Sequence, residues 1–506
     1  MIDNSTVEGS SQSPPRIRLS SEIEISRIVT GLWQVADMEK SGAALDIEGG
    51  SKAMLDYIRD GFDTFDMADH YGSSELIAGN CIKHFNKTLF SRDYAAPTIF
   101  TKWCPKPGDM TASVVAAGVK ERLDRLETTT IDLLQFHWWN YENSGYLDAL
   151  TALEQCRQDR VITNLGLTNF NSDHLRVVLE SGIRITTNQV SFSLLDRRAA
   201  GRMTELCLER GIKILAYGTL CGGFLTDKWV GLPEPSVSEI TDWSKMKYKR
   251  FIEAFGGWEK FQVLLKMLSR IARKHGVSVA NVATRWVIEQ PAVGAVIVGA
   301  RLGEREHRLN NLELFSFSLD SDDYEMIESG LLGSKLISRD CGDEYRQAPF
   351  LTASGDLSHH LDTIDNAYPK EISPDRSSRA SVSSRTVWES IGGFARATKE
   401  GNQIFVSGTT ATDHRGQKVC VASVEAQAVF ILDKILAAVR ALGGTEMDIV
   451  RTRIYITNPG DWETVTQVHG RYFAVSRPAN TLVIVKHIVG DYPVEIEAEA
   501  VLVPSI

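Results

Sequence analysis

The 506-residue chain lacks any Cys-x-x-Cys pair, any apolar run near the roughly 20 residues that cross a bilayer, and any excess of positive charge. Its seven cysteines (Cys81, Cys104, Cys156, Cys207, Cys221, Cys341 and Cys420) are odd in number and scattered, which argues against a disulfide framework or a zinc site. No metal is expected. Lys and Arg number 55 against 65 Asp and Glu, a formal charge of −10, so the basic footprint of a nucleic-acid partner is missing. The start, "MIDNSTVEGSSQSPPR", is polar and has no apolar core of a secretory leader. The expected location is cytoplasmic, with no membrane partner. Nor does a Gly-x-Gly-x-x-Gly follow any strand-like run, which removes support for a Rossmann nucleotide site.

What is present is repetition. After a short hairpin, "RIRLSSEIEIS", come eight β-rich runs: "RIVTGLW", "FDTFDMA", "IFTKW", "IDLLQFH", "ITNLGLT", "TTNQVSF", "IKILAYG" and "VGAVIVGA". Segments with helical apolar spacing, such as "GRMTELCLERG", separate them. The alternation predicts a closed (β/α)₈ TIM barrel over residues 16–335, an α/β fold. The connection after the seventh run, Thr219 to Lys260, is far longer than the others and reads as a lid or binding loop. Residues 336–387 lose the pattern and become Ser- and Arg-rich ("SPDRSSRASVSSR"), a tail and flexible linker by composition. Residues 388–506 then read as a small α+β domain, with a hairpin across Gly401–Asn402 and the long amphipathic helix "VEAQAVFILDKILAAVRALGG".

In such a barrel the active site lies at the carboxyl ends of the strands. Asp66 ends the second run with Tyr71 five residues on; Lys102, His137, Thr168–Asn169, Gln189 and Tyr217 end the next five. A lysine held by a carboxylate beside a tyrosine favours the phenolate and should lower the phenol's pKa from about 10. A tuned tyrosine with a neighbouring histidine suits proton transfer at a carbonyl or alcohol oxygen. Thr, Asn and Gln side chains suit a carboxamide, and Tyr217 a flat ring. Asp63 and Asp69 are expected to make only solvent or loop contacts at the strand's flanks. Taken singly, each of these residues is more often a satisfied core or rim group. Their order along one barrel edge is what points to chemistry.

With "FDMADHYG", "TKW", "LLQFHW" and "GLTNF" in that order, residues 16–330 resemble the aldo-keto reductase superfamily. The resemblance implies a catalytic tetrad of Asp66, Tyr71, Lys102 and His137. It implies NADPH, with NADH possible, bound by Thr168, Asn169, Gln189, Tyr217, Gly299, Arg301, Arg305 and Asn311, with Asn310 an alternative to Asn311. The substrate would be a small carbonyl compound, and "TLCGGFLTDK" would face the pyrophosphate. Val298 stands where many relatives have proline. Trp33, Trp103, Trp138 and Trp139 are candidates for an aromatic pocket, half of which could face the helices instead. The C-terminal domain ("FVSGTTATD", "RPANTLVIV", "VEIEAEAV") resembles the Rid/YjgF family, which implies a possible homotrimer. Asn480 replaces the arginine of imine-hydrolysing members and Leu482 a frequent cysteine; Glu495 matches their acid, although Glu495, Glu497 and Glu499 alternate as on any wet strand face. The alternatives to a reductase are a weakly active NADPH-bound sensor and a bifunctional reductase plus imine-processing enzyme.

Overall fold

Val, Ile, Leu and Phe dominate the eight runs because strands covered on both faces need no polar alternation. In the computed structural model they pair in parallel as β3 (Ile28–Gly31), β4 (Thr64–Asp66), β5 (Thr98–Trp103), β6 (Ile131–Phe136), β7 (Ile162–Thr168), β8 (Thr187–Ser191), β9 (Lys213–Tyr217) and β10 (Val293–Gly299). β10 pairs with both β9 and β3, which closes the barrel. The structure describes residues 13–87, 93–304, 307–357, 361, 363–375 and 378–503.

The expected hairpin is β1 (Arg16–Arg18) against β2 (Glu24–Ser26). Its Leu19, Ile23 and Ile25 cluster with Val29, Phe100, Leu133 and Leu215, so apolar side chains plug the amino-terminal end of the barrel. Arg16 donates to Asp63 at 2.6 Å, and Asp63 is buried. Asp63 is therefore not a solvent contact: it pins the plug, three residues before the acid at the opposite end.

Two segments differ from expectation. The stretch after Gly333 does not trail away. Cys341, Asp343, Glu344 and Tyr345 are buried, and residues 340–356 form a strap over the carboxyl end of the barrel. Arg198 holds it through Glu344 (2.9 Å) and the carbonyl of Asp340. A strap fastened by charged groups has no apolar period, which is why its sequence resembles a linker. Within the segment that reads as a linker lie β11 (Lys370–Ile372) and β12 (Arg379–Val382). They extend a seven-stranded sheet ordered β11-β12-β13-β14-β17-β15-β16. The remaining strands are β13 (Ala397–Glu400), β14 (Gln403–Thr409), β15 (Ile449–Ile456), β16 (Ala479–Ile484) and β17 (Val494–Val501), with Gly401–Asn402 at the expected turn.

The helix Val424–Ala441 is buried nearly all round, rather than on one face as its sequence suggested. One side lies on β14 and β17, and another packs on the barrel helix Ser172–Glu180. The domain junction is polar at its edges: Arg471 donates to Asp173 (2.8 and 3.0 Å) and to Glu425 (2.9 Å), and His174 Nε2 meets Asp433 Oδ2 at 2.8 Å. Arg440 reaches Glu142, and Arg415 reaches Asp148.

Lys434 on the same helix is buried and donates to the carbonyl of Thr412 at 2.7 Å. Burial first, and then Arg396, lower its pKa to about 7. Between that value and the unfolded value of 10.5 the unfolded chain binds the extra proton, so this residue makes stability rise with pH across the window and leaves it flat below. Lys434→Met should remove about 1.4 kcal/mol per pH unit of that slope between pH 7 and 10. Urea midpoints measured across the window check it.

Candidate active site

Each strand end delivers one group. Lys102 Nζ, near the end of β5, donates to Asp66 Oδ2 at 2.5 Å and to the Met67 carbonyl at 2.9 Å. Asp66 Oδ1 accepts from Gln135 and Gln189, each at 2.8 Å. The buried carboxylate is thereby paired and hydrogen-bonded on both oxygens, as a buried charge requires. Tyr71 lies in the loop after β4, its ring centroid 4.9 Å from Lys102 Nζ. His137 follows β6; its Nδ1 is 3.2 Å from the Thr168 carbonyl, and its Nε2 is buried without a hydrogen-bond partner among the described residues.

The acidity of Tyr71 departs from the sequence expectation. Burial, and then the carboxylates of Asp66 and Asp356, push its phenol well above the ordinary range. At rest these outweigh the nearby ammonium of Lys102, which is paired with Asp66. Burial, and then Arg346, lower the pKa of His137 well below the usual histidine value, so its ring is neutral. A carbonyl can only accept, so Nδ1 carries the proton toward Thr168 and Nε2 presents a lone pair.

The cofactor candidates share the same cavity, of about 730 Å³. Thr168 donates to the Gln189 carbonyl at 3.2 Å; Asn169, at φ +58°, accepts from Tyr217 Oη at 2.8 Å; Gln189 also donates to Gln135 at 2.7 Å. Gly299, Arg301, Asn310 and Asn311 line the cavity, which leaves both asparagines in play. Arg301 donates to Asp37 at 2.7 Å. Arg305 lies outside the described residues. Trp33 and Trp139 line the cavity. Trp103 instead packs on Gly118, where a Cβ would meet its ring at 2.5 Å, and Trp138 is fully buried, donating to the carbonyls of Asn140 and Asn143.

Several lining residues carry no signal in the sequence. Asp69, beside the cavity, makes the loop contacts expected of it: it holds His70 Nδ1 at 2.7 Å and accepts the Cys104 amide at 2.8 Å, which fixes the loop that carries Tyr71. Lys247, on the helix Trp243–Phe255 of the long connection, is buried and donates to Tyr345 Oη at 2.7 Å and pairs with Asp356 at 3.1 Å. Tyr345 meets Tyr217 Oη at 3.2 Å and lies edge-on to His137, 5.5 Å between centroids. Period and spacing single out none of Lys247, Tyr345 or Asp356, since each becomes a site residue only through the strap.

A dinucleotide fits this donor set. His137 Nε2 and Trp33 Nε1, both without a hydrogen-bond partner among the described residues, belong to cavity-lining residues. Gly218, Gly222 and Gly223 have positive φ, and a Cβ at Gly218 would meet Tyr248 Oη at 2.1 Å, so the loop must be glycine to fold this closely. Ser278 and Ala280 place the start of the helix Val279–Ile288 at the cavity; a helix N-terminus favours negative charge, and the Val279 amide already holds the Asp227 carboxylate at 3.0 Å.

In the second domain Asn480 donates to Thr452 Oγ1 at 3.0 Å, and Arg453 pairs with Glu497 at 2.6 Å and Glu499 at 3.0 Å. Glu495 is half-buried, and burial followed by Glu497 raises its pKa.

Residues 385–502 match the family model described as Endoribonuclease L-PSP. Flagellar radial spoke protein 5 of Chlamydomonas reinhardtii is 33% identical over 177 residues, 31% of this chain and 33% of that protein, so this chain spans a third of its length. Aldo-keto reductase YhdN of Bacillus subtilis is 25% identical over 348 residues, 65% of this chain and 96% of that protein. The barrel fold is shared with a glycerol dehydrogenase structure from Gluconobacter oxydans at a TM-score of 0.52 and 23% identity, covering 62% of this chain and 94% of that one. Residues 27–331, more than half of the chain, match the Aldo/keto reductase family model, and the chain belongs to that family.

Proposed function

We propose that the barrel reduces an aldehyde or ketone with NADPH, Tyr71 acting as proton donor. The observation that carries this reading is convergence: the Asp66–Lys102 pair, Tyr71, His137 and the amides of Asn169 and Gln189 line one cavity. NADPH would supply the hydride for the carbonyl carbon. Asn169 and Gln189 would hold its carboxamide, Tyr217 its ring, and the Gly218–Gly223 loop with Ser278 its phosphates. The phenol of Tyr71 keeps its proton until negative charge develops on the substrate oxygen, since burial disfavours the phenolate at rest. The ammonium of Lys102, fixed by Asp66, then stabilises the phenolate left behind. The lone pair of His137 Nε2 can accept a hydrogen bond from the alcohol formed. NADPH oxidation by the full chain over a panel of aldehydes and ketones tests the reading; a protein that consumes none of them overturns it.

The coenzyme preference rests on Arg301, whose guanidinium can take a 2′-phosphate in forked geometry once it exchanges Asp37 for the ligand. Arg301→Ala should raise the KM for NADPH about tenfold while leaving that for NADH nearly unchanged. Initial rates with both coenzymes measure it.

For the second domain, assembly is favoured over imine hydrolysis. Asn480 brings no charge for a substrate carboxylate, while the sheet face away from the helices leaves Phe405 and Val483 exposed beside Arg453 and Glu497. Self-association through that face, as a homotrimer, is the expectation that sedimentation of the full chain tests. Among the described residues no helix is long and apolar enough to cross a membrane.

A further inference from the structure

Arg346 lies beyond the residues that match the family model, yet it fastens two of the loops that carry the site. Its Nη1 donates to the carbonyls of Asn169 (2.6 Å) and Gly342 (2.8 Å), and its Nη2 donates to the carbonyl of Trp138. Trp138 adjoins His137. Asn169 has a left-handed backbone, which a non-glycine residue holds only when its surroundings impose it. The strap is pressed against that residue: a Cβ on Gly342 would come within 2.1 Å of the Asn169 carbonyl oxygen.

The other side of Arg346 leads to the second domain. Its guanidinium carbon lies 4.1 Å from the centroid of Tyr141, and His174 stacks on Tyr141 at 3.4 Å with the planes 5° apart. An imidazole at that distance covers one face of the phenol ring, so the guanidinium occupies the opposite face. His174 is gripped at both nitrogens, Nδ1 by Asn171 Oδ1 (2.7 Å) and Nε2 by Asp433 Oδ2 (2.8 Å), and Asp433 is oriented by Tyr472 Oη (2.7 Å). Asn171 closes the circuit by donating to Asp343 of the strap at 2.8 Å. Asp433 and Tyr472 belong to the second domain; every other member belongs to the barrel or its strap.

We propose that Arg346 is a positioning residue for the coenzyme site, holding the backbone of Asn169 and of the His137 loop, and that the second domain, through Asp433 and His174, buttresses the stack in which Arg346 lies. The fused domain thus contributes to the reductase without touching its cavity. The inference rests on the reading of Asn169 as a coenzyme contact.

The test uses the full-length protein and the variants Arg346→Ala, Arg346→Lys and Asp433→Ala, each first shown to be folded by circular dichroism. NADPH affinity is measured by fluorescence titration, and KM and kcat by NADPH oxidation. Arg346→Ala should weaken NADPH binding about tenfold or more through the lost bond to Asn169, and lower kcat as well through the lost bond behind His137. Arg346→Lys should recover part of the loss, and Asp433→Ala should weaken NADPH binding in the same direction by a smaller factor. Unchanged NADPH affinity in Arg346→Ala, even with a lower melting temperature, overturns the positioning role; unchanged affinity in Asp433→Ala overturns the buttress. A wild-type protein that binds no NADPH overturns the reductase reading instead. Hydrogen exchange over residues 137–141 and 169–174 then decides: faster exchange in Asp433→Ala supports the buttress, and identical exchange refutes it.

Discussion

Tyr71→Phe should bind NADPH as the wild type does and lose turnover by about 10²- to 10⁴-fold, the range for removing one positioned general acid. The substitution deletes a hydroxyl and keeps the ring, so the packing against His70 (4.8 Å between centroids) and the contact with Lys102 remain. kcat should carry nearly the whole effect, since the proton moves only as charge develops on the substrate oxygen. The pH profile gives a second check. With the phenol pushed up by burial and by Asp66, Tyr71 stays protonated through neutral and mildly alkaline pH, so wild-type reduction should not fall as pH rises through that range. Stopped-flow single turnovers with Tyr71→Phe separate chemistry from binding; undiminished turnover would remove the tyrosine from the mechanism.

Lys102→Met is expected to be the more damaging change, because it affects folding as well as chemistry. Lys102 and Asp66 are each nearly inaccessible, and their 2.5 Å pair is the carboxylate's only charge partner among the described residues. Removing one member of a buried pair leaves the other uncompensated and costs about 3–5 kcal/mol. Turnover should vanish with it. The double variant Lys102→Met/Asp66→Asn should regain much of the stability, since no buried charge remains, and none of the activity. Urea unfolding of the three proteins resolves these two losses; a stable Lys102→Met variant would show that Asp66 is compensated elsewhere.

The barrel and the placing of Asp66, Lys102 and His137 at its carboxyl end were legible because their signals are local. A parallel strand buried on both faces shows as an apolar run, and a polar residue at its carboxyl end stands out against that run, as Asp66, Lys102 and His137 do. The same logic fails for Asp63, which lies in the same stretch as Asp66. Only its partner Arg16, 47 positions away, shows that it faces the opposite end of the barrel. Lys247 reads as an ordinary charged helix residue until Tyr345 and Asp356 arrive from the strap. The strap itself is irregular backbone held by Arg198, Asn171 and Arg346, and ion pairs with distant partners leave no period in a sequence. The acidity of Tyr71 is hidden from the sequence for a related reason: which charge faces the phenol depends on how Lys102 divides its donors, and that is a matter of ångströms.

The helix Val424–Ala441, covered by the sheet on one side and by the barrel on another, bears on how the two halves of this protein can be inherited. A free-standing domain of this kind needs a polar outer surface on its helices, but here Phe430 and Leu436, three residues either side of Asp433 and so on the face that meets the barrel, are shielded from solvent. Gene fission that released the C-terminal half would expose an oily strip prone to precipitation, while the released barrel would lose the support beneath His174. Once that strip had formed, separation became costly for both partners, so the fusion is expected to persist in descendants even where one half has lost its own chemistry.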